Sequence, residues 1–173
     1  TGGGSGIGAA ITEGFLAQNA RVAFIGRSDA NDFCSQMEKK YGNRPLFIQG
    51  DITDTTVLKA SMLKAEEAHG PITTLINNAA NDKRHNTTEV TPEFWDWMIE
   101  INLKAYFFAC QTVLPQMQKA GFGSIINFSS ISYMMGNAGY PIYTACNSAI
   151  NGLSRSLARE FGADKIRVNT LAP

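Results

Sequence analysis

The residues of this chain best suited to chemistry lie between positions 129 and 149, in the run S-S-I-S-Y-M-M-G-N-A-G-Y-P-I-Y-T-A-C-N-S-A. Ser130 precedes Tyr143 by a loop, and Asn147 follows Tyr143 by one helical turn. A hydroxyl, a phenol and a third group at i+4 make a set for moving a proton off an alcohol. The third group matters because an isolated phenol, with a pKa of about 10, is ionised to only about one part in a thousand at pH 7. A cation beside it would favour the phenolate; the neutral amide of Asn147 carries no charge with which to do so.

Further chemistry sits where segments change type. Gly2, Gly6 and Gly8 form G-x-x-x-G-x-G, with Ser5 and Ile7 between them, at the opening of a predicted helix. Glycines allow close backbone approach to a pyrophosphate, and the helix start aims amide dipoles at it. No Gly-Lys-Ser/Thr follows, which excludes a kinase-type phosphate loop. Arg27 ends a predicted strand; without an acidic residue at Gly26 it leans toward the 2′-phosphate of NADP over NAD. Its alternative is a solvated surface arginine. Asp51 stands just past the next strand, followed by Ile52, and could accept from an adenine amino group or cap the helix that follows. Asn77-Asn78-Ala79-Ala80 closes another strand, where ligands of α/β sheets collect, although asparagines there also brace loops.

The elements that must position these residues alternate. Helices are predicted over 5–19, 28–41, 54–68, 92–119 and 143–161. Strands are predicted over 21–25, 46–49, 72–76, 123–128 and 166–169. Over 92–119, Phe94, Met98, Ile101, Ala105, Phe108 and Thr112 form one largely apolar stripe; Ala149, Leu153, Leu157 and Phe161 do so in the last helix. Such alternation predicts parallel crossovers and a doubly wound α/β sheet, in a single domain over 1–173. A glycine loop needs a strand to deliver it, so the reading is of a fragment missing sequence at both ends.

The chain of 173 residues has 15 basic and 15 acidic side chains and is 44% hydrophobic. Clustered positive charge is missing, which argues against nucleic acid or an anionic membrane as partner. Cys34, Cys110 and Cys146 lack metal-ligand spacing, so no metal is expected, and the reading is of reduced thiols in a cytoplasmic protein.

Together, T-G-G-G-S-G-I-G, Asp51, N-N-A-A, Asn102, Ser130 and the Tyr143 pair resemble the short-chain dehydrogenase/reductase family, as does the closing V-N-T-L-A-P. The resemblance spans essentially the whole chain, and it implies a Rossmann fold that lacks its first strand and its C-terminal strand with the substrate lid. It implies NAD or NADP as cofactor, held by Gly2, Ser5, Gly6, Ile7, Gly8, Arg27, Asp51, Ile52, Asn78, Ala79, Tyr143 and Asn147. It also implies alcohol–carbonyl interconversion on a small-molecule substrate, with Asn102, Ser130, Tyr143 and position 147 as the catalytic set, and pairing into homodimers or homotetramers through 92–119 and 143–162. In the family, position 147 is a lysine; here it is Asn147. N-N-A-A-N-D-K-R-H over 77–85 and I-N-F-S-S-I-S-Y over 126–133 are similar to the aldose 1-dehydrogenase branch. That similarity implies a sugar oxidised at its anomeric carbon, met by Asn81, Asp82, Arg84, His85, Ser130, Tyr133 and Tyr143. An ordinary charged surface loop is the alternative for 81–85. Other readings within reach are a carbonyl reductase on an oxoacyl thioester or steroid, and a non-catalytic dinucleotide-binding relative.

Overall fold

A computed structural model describes residues 1–173. Five short parallel strands carry the fold: β1 (Ala23–Gly26), β2 (Leu46–Gln49), β3 (Thr74–Asn77), β4 (Gly123–Phe128) and β5 (Ile166–Leu171). β1 pairs with β2, and β4 pairs with β3 on one side and β5 on the other. All pairings are parallel, and every connection carries a helix. The predicted strands are all present, with starts displaced by two residues in β1 and β3.

Seven α-helices surround them: α1 (Gly6–Ala17), α2 (Asn31–Tyr41), α3 (Thr55–His69), α4 (Pro92–Ile99), α5 (Ala105–Ala120), α6 (Ser132–Met135) and α7 (Pro141–Phe161). Local chemistry sets several boundaries. Asp54 caps α3 by accepting from the Thr56 and Val57 amides. Thr91 caps α4, with Pro92 at its first position. Neighbouring strand residues face opposite ways. Ile25 and Ile48 join Leu58, Met62, Val113, Ile125, Leu157 and Val168 in the main core beneath α3, α5 and α7. Phe24 packs on the other side with Ala30 and Cys34, against Phe33 and Phe47. Helices therefore cover both faces, as a doubly wound sheet requires.

Three sequence expectations are corrected. The single helix over 92–119 is two helices joined by a π-helical segment, Glu100–Lys104, which turns the buried side by a residue. Downstream of it Tyr106, Ala109, Cys110 and Val113 are buried, while Phe108 and Thr112 are only partly so. In α7, which starts at Pro141 and not Tyr143, Ala149 is exposed; Cys146, Ile150 and Leu157 make the buried side, and Leu153 and Phe161 pack against it partially. The loop expected before α7 contains the short helix α6.

β1 and β3 do not pair. A cavity of about 350 Å³ lies between them, lined by Ala23, Ile25, Leu75 and Ile76 among others, where the sequence reading places a further strand. Thr1 and Gly2 hydrogen-bond to both sheets: the Gly2 amide donates to the Ile25 carbonyl at 2.8 Å, and the Thr1 amine to the Ile76 carbonyl at 2.7 Å.

Candidate active site

The glycine loop is built by close contact. Gly2 has φ +69°, and a Cβ on Gly8 would collide with the Gly2 carbonyl oxygen and stand 2.8 Å from Asn78 Nδ2. Only glycine fits there. Asn78 ties the end of β3 to this loop: its side chain donates to the Thr1 and Gly2 carbonyls, and the Asn78 and Ala79 amides donate to Thr1 Oγ1. Ser5 begins α1 with an extended backbone, but its side chain makes no cap bond. The first amides of α1 therefore point outward without a partner, a fit for a diphosphate. Ile7 stands 55% exposed at the same rim.

At the adjoining edge, Arg27 lies 3.9 Å from the Asp51 carboxylate, both side chains substantially exposed. Asp51 also accepts from the Thr53 amide and hydroxyl, so it shapes its turn, while the helix cap is Asp54. Ile52 is buried in the main core, so its side chain serves packing and only its backbone is left for a ligand.

Asn102 lies in the π-helical segment, almost wholly buried. Its oxygen accepts from the Asn81 amide at 2.9 Å, and its nitrogen donates to the Asn81 carbonyl at 3.0 Å and to the Met98 carbonyl at 2.9 Å. The widened turn thus turns one side chain into a clamp on the loop after β3. That loop is fixed again further on. Arg84 stacks on the Tyr140 ring at 3.7 Å and donates to the Ala138 carbonyl, and the His85 amide donates to the Gly139 carbonyl. Arg84 and His85 therefore join two loops; His85 Nδ1 sits 3.0 Å from the Lys83 carbonyl and its ring packs on Phe94. Asp82 makes no ion pair, and Asn81 accepts from the Lys83 amide to close a turn. Tyr133 is half-buried in α6, and Ser130 Oγ accepts from the Ser132 amide at the start of that helix.

Tyr143 and Asn147 face a cavity of about 220 Å³ that Asn78, Asp82, Ser129, Ile7 and Tyr106 also line. Asn147 is buried, and its side-chain nitrogen donates back to the Tyr143 carbonyl at 2.9 Å. Its own carbonyl accepts from Ser129 Oγ at 2.8 Å and Asn151 Nδ2 at 2.9 Å. Lys104 does not serve as a substitute cation; it pairs with Glu100 on the surface. Arg155 is exposed further along α7.

Sequence reasoning missed Tyr106. It is 1% exposed, its hydroxyl has no partner, and burial together with the neighbouring Tyr143 pushes it well above the usual phenol range. The available signal was its place four residues after Asn102, the same spacing that links Tyr143 and Asn147. Ser129, Asn127 and Asn151 were missed too: Asn127 accepts from Asn77 and donates to Ser154 in a buried network under the site.

The description "short chain dehydrogenase" fits the chain over residues 1–173. The chain belongs to that family. Over its whole length it is 43% identical to a protein of Rhizobium meliloti named probable galactose dehydrogenase GalD, and 38% identical to D-xylose 1-dehydrogenase of Caulobacter vibrioides; it covers 68% of each. Its fold matches L-sorbose reductase from Gluconobacter frateurii, solved with NADPH and L-sorbose, with TM-score 0.95, 29% identity, 99% of this chain and 66% of that one. As a short-chain dehydrogenase it is an NAD(P)-dependent oxidoreductase. The glycine loop, Asn78 and the outward amides of α1 are the parts of this chain that fit such a cofactor.

Proposed function

We propose that this short-chain dehydrogenase oxidises an aldose at its anomeric carbon, and that Asn147 slows it. The observation that carries the reading is that Tyr143 opens into one cavity with Asn78 and the rim of the glycine loop. A nicotinamide held there would supply the hydride acceptor for the carbinol carbon. Tyr143 takes the hydroxyl proton, and Ser130 holds the reacting oxygen. Asn102 fixes the backbone of Asn81 in the loop after β3. The sugar-dehydrogenase names of the relatives support an aldose, and polar side chains at Asn81 and Asp82 suit a polyol. Arg27 leans the cofactor choice toward NADP.

Asn147 is neutral, and its nitrogen is occupied by the Tyr143 carbonyl. It brings no charge beside the phenol, and impaired acid–base catalysis costs on the order of 10²–10⁴ in rate. The test is kcat on an aldose panel, with lactone as product, for the full-length protein and its Asn147→Lys variant. The expected gain is about 10²-fold or more. Equal rates would remove position 147 as the limit, and no lactone from either protein would remove the sugar.

A further inference from the structure

The loop after β3 is tied down at both ends, and its far end leads to Tyr143. Asn102 holds the beginning through both backbone groups of Asn81. At the far end Arg84 Nη1 donates to the Ala138 carbonyl at 3.1 Å, and the His85 amide donates to the Gly139 carbonyl at 2.8 Å. Gly139 has φ +92°, a conformation that favours glycine, and Tyr140 follows it as the first cap of α7.

Arg84 makes no ion pair. Its guanidinium carbon lies instead 3.7 Å from the centroid of the Tyr140 ring. Tyr140 is buried, and its hydroxyl accepts from Asn137 Nδ2 at 3.2 Å. On its other side the Tyr140 ring meets the ring of Tyr143, with centroids 5.7 Å apart and planes tilted by 57°. That separation is within contact range for aromatic pairs. Asn147, one turn on, gives its side-chain nitrogen to the Tyr143 carbonyl and not to the phenol. The direction of the Tyr143 ring is therefore set by packing: Met98, Ile142 and Cys146 toward the interior, and Tyr140 beside it.

From this geometry we infer that Arg84 is a positioning residue for Tyr143, acting through Tyr140. The guanidinium holds the Tyr140 ring, and that ring holds the phenol of Tyr143 toward the substrate hydroxyl. An arginine suits the task because its planar head stacks on a ring while an N–H of the same fork reaches a carbonyl. The inference rests on Tyr143 as the proton acceptor proposed above, and it gives Arg84 a task other than meeting the sugar.

The test begins with nuclear magnetic resonance of the full-length protein carrying isotope-labelled tyrosine rings, the signals assigned with Tyr140→Phe and Tyr143→Phe. Arg84→Ala should shift or broaden the signals of both Tyr140 and Tyr143. Tyr41, whose hydroxyl donates to Glu13 on the far helices, should stay unmoved. A change confined to Tyr140, or none, would overturn the inference. This arm needs no turnover, so it decides the matter even where no aldose is oxidised. With an aldose that is oxidised, Arg84→Ala should lower kcat about tenfold or more, since small misplacement of a reacting group costs at least that much. KM for the sugar should hardly change; a raised KM at unchanged kcat would overturn the inference in favour of a sugar contact. Tyr140→Leu removes the intervening ring, so adding Arg84→Ala to it should lower kcat no further. A full second loss in the double variant would show that Arg84 acts by another route and would overturn the inference as well.

Discussion

Tyr106 shows what one buried phenol does to stability. Burial first, and Tyr143 second, hold its proton on in the folded chain beyond the pH at which an unfolded tyrosine releases it. The folded state therefore binds more protons above about pH 10, and stability falls as pH rises through that range. Cys110 acts in the same direction from lower pH, its thiol pushed up from 9.0 to about 12 by burial. Tyr106→Phe should flatten the limb above pH 10 and leave the part due to Cys110. At pH 7 it should stabilise the chain or leave it unchanged, because an unpaired buried hydroxyl costs roughly 1–3 kcal/mol. Urea melts at pH 7 and pH 11 check both; a loss of stability at pH 7 would mean the hydroxyl has a bound partner. At the other end of the site, Arg27 is exposed and only loosely paired with Asp51, so Arg27→Ala should barely move stability. If it meets a 2′-phosphate, that change should raise KM for NADP about tenfold while sparing NAD; equal changes in both would assign the arginine to the surface.

The π-helical segment Glu100–Lys104 is the element that matters most to the site, and the sequence conceals it. An apolar stripe at spacings of three and four reads as one continuous helix, because a single widened turn shifts the pattern by only one residue. Asn102 was legible as a candidate site residue through the family motif, but its clamp on both polar groups of the Asn81 backbone depends on that widened turn. By contrast, helix starts were legible wherever a side chain or proline made them, as at Asp54, Thr91 and Pro92. The loop over 81–85 was legible only in composition: Arg84 and His85 looked ready for hydroxyls, yet long-range contacts to residues 138–140 hold them, and no local pattern encodes those. Asn102→Ala should free the Asn81 amide and carbonyl, cost about 1–3 kcal/mol, and speed hydrogen exchange across residues 80–85. Unchanged exchange there would show that the Arg84 and His85 contacts alone fix the loop.

At the scale of the molecule, alternating strands and helices made the doubly wound order readable, since each parallel pairing needs a crossover. What the pattern also required was a partner between β1 and β3, and the cavity of about 350 Å³ lies in that place. The two sheets communicate through the main core, where Ile25, Ile48 and Leu75 share neighbours, and through the two hydrogen bonds of Thr1 and Gly2. In a parallel strand the amides alternate between the two flanking sides. Those of β1 that meet β2, and those of β3 that meet β4, are paired, while the alternate ones face the cavity. β4, paired on both sides, has no such exposed set. Hydrogen exchange resolved by residue on these 173 residues alone should therefore show β4 protected along its length, with β1 and β3 each alternating between slow and fast amides. Cavity-facing amides open by local fluctuation, whereas β4 opens only with larger units of the fold. Even protection along β1 and β3 would mean that a further strand fills the place between them.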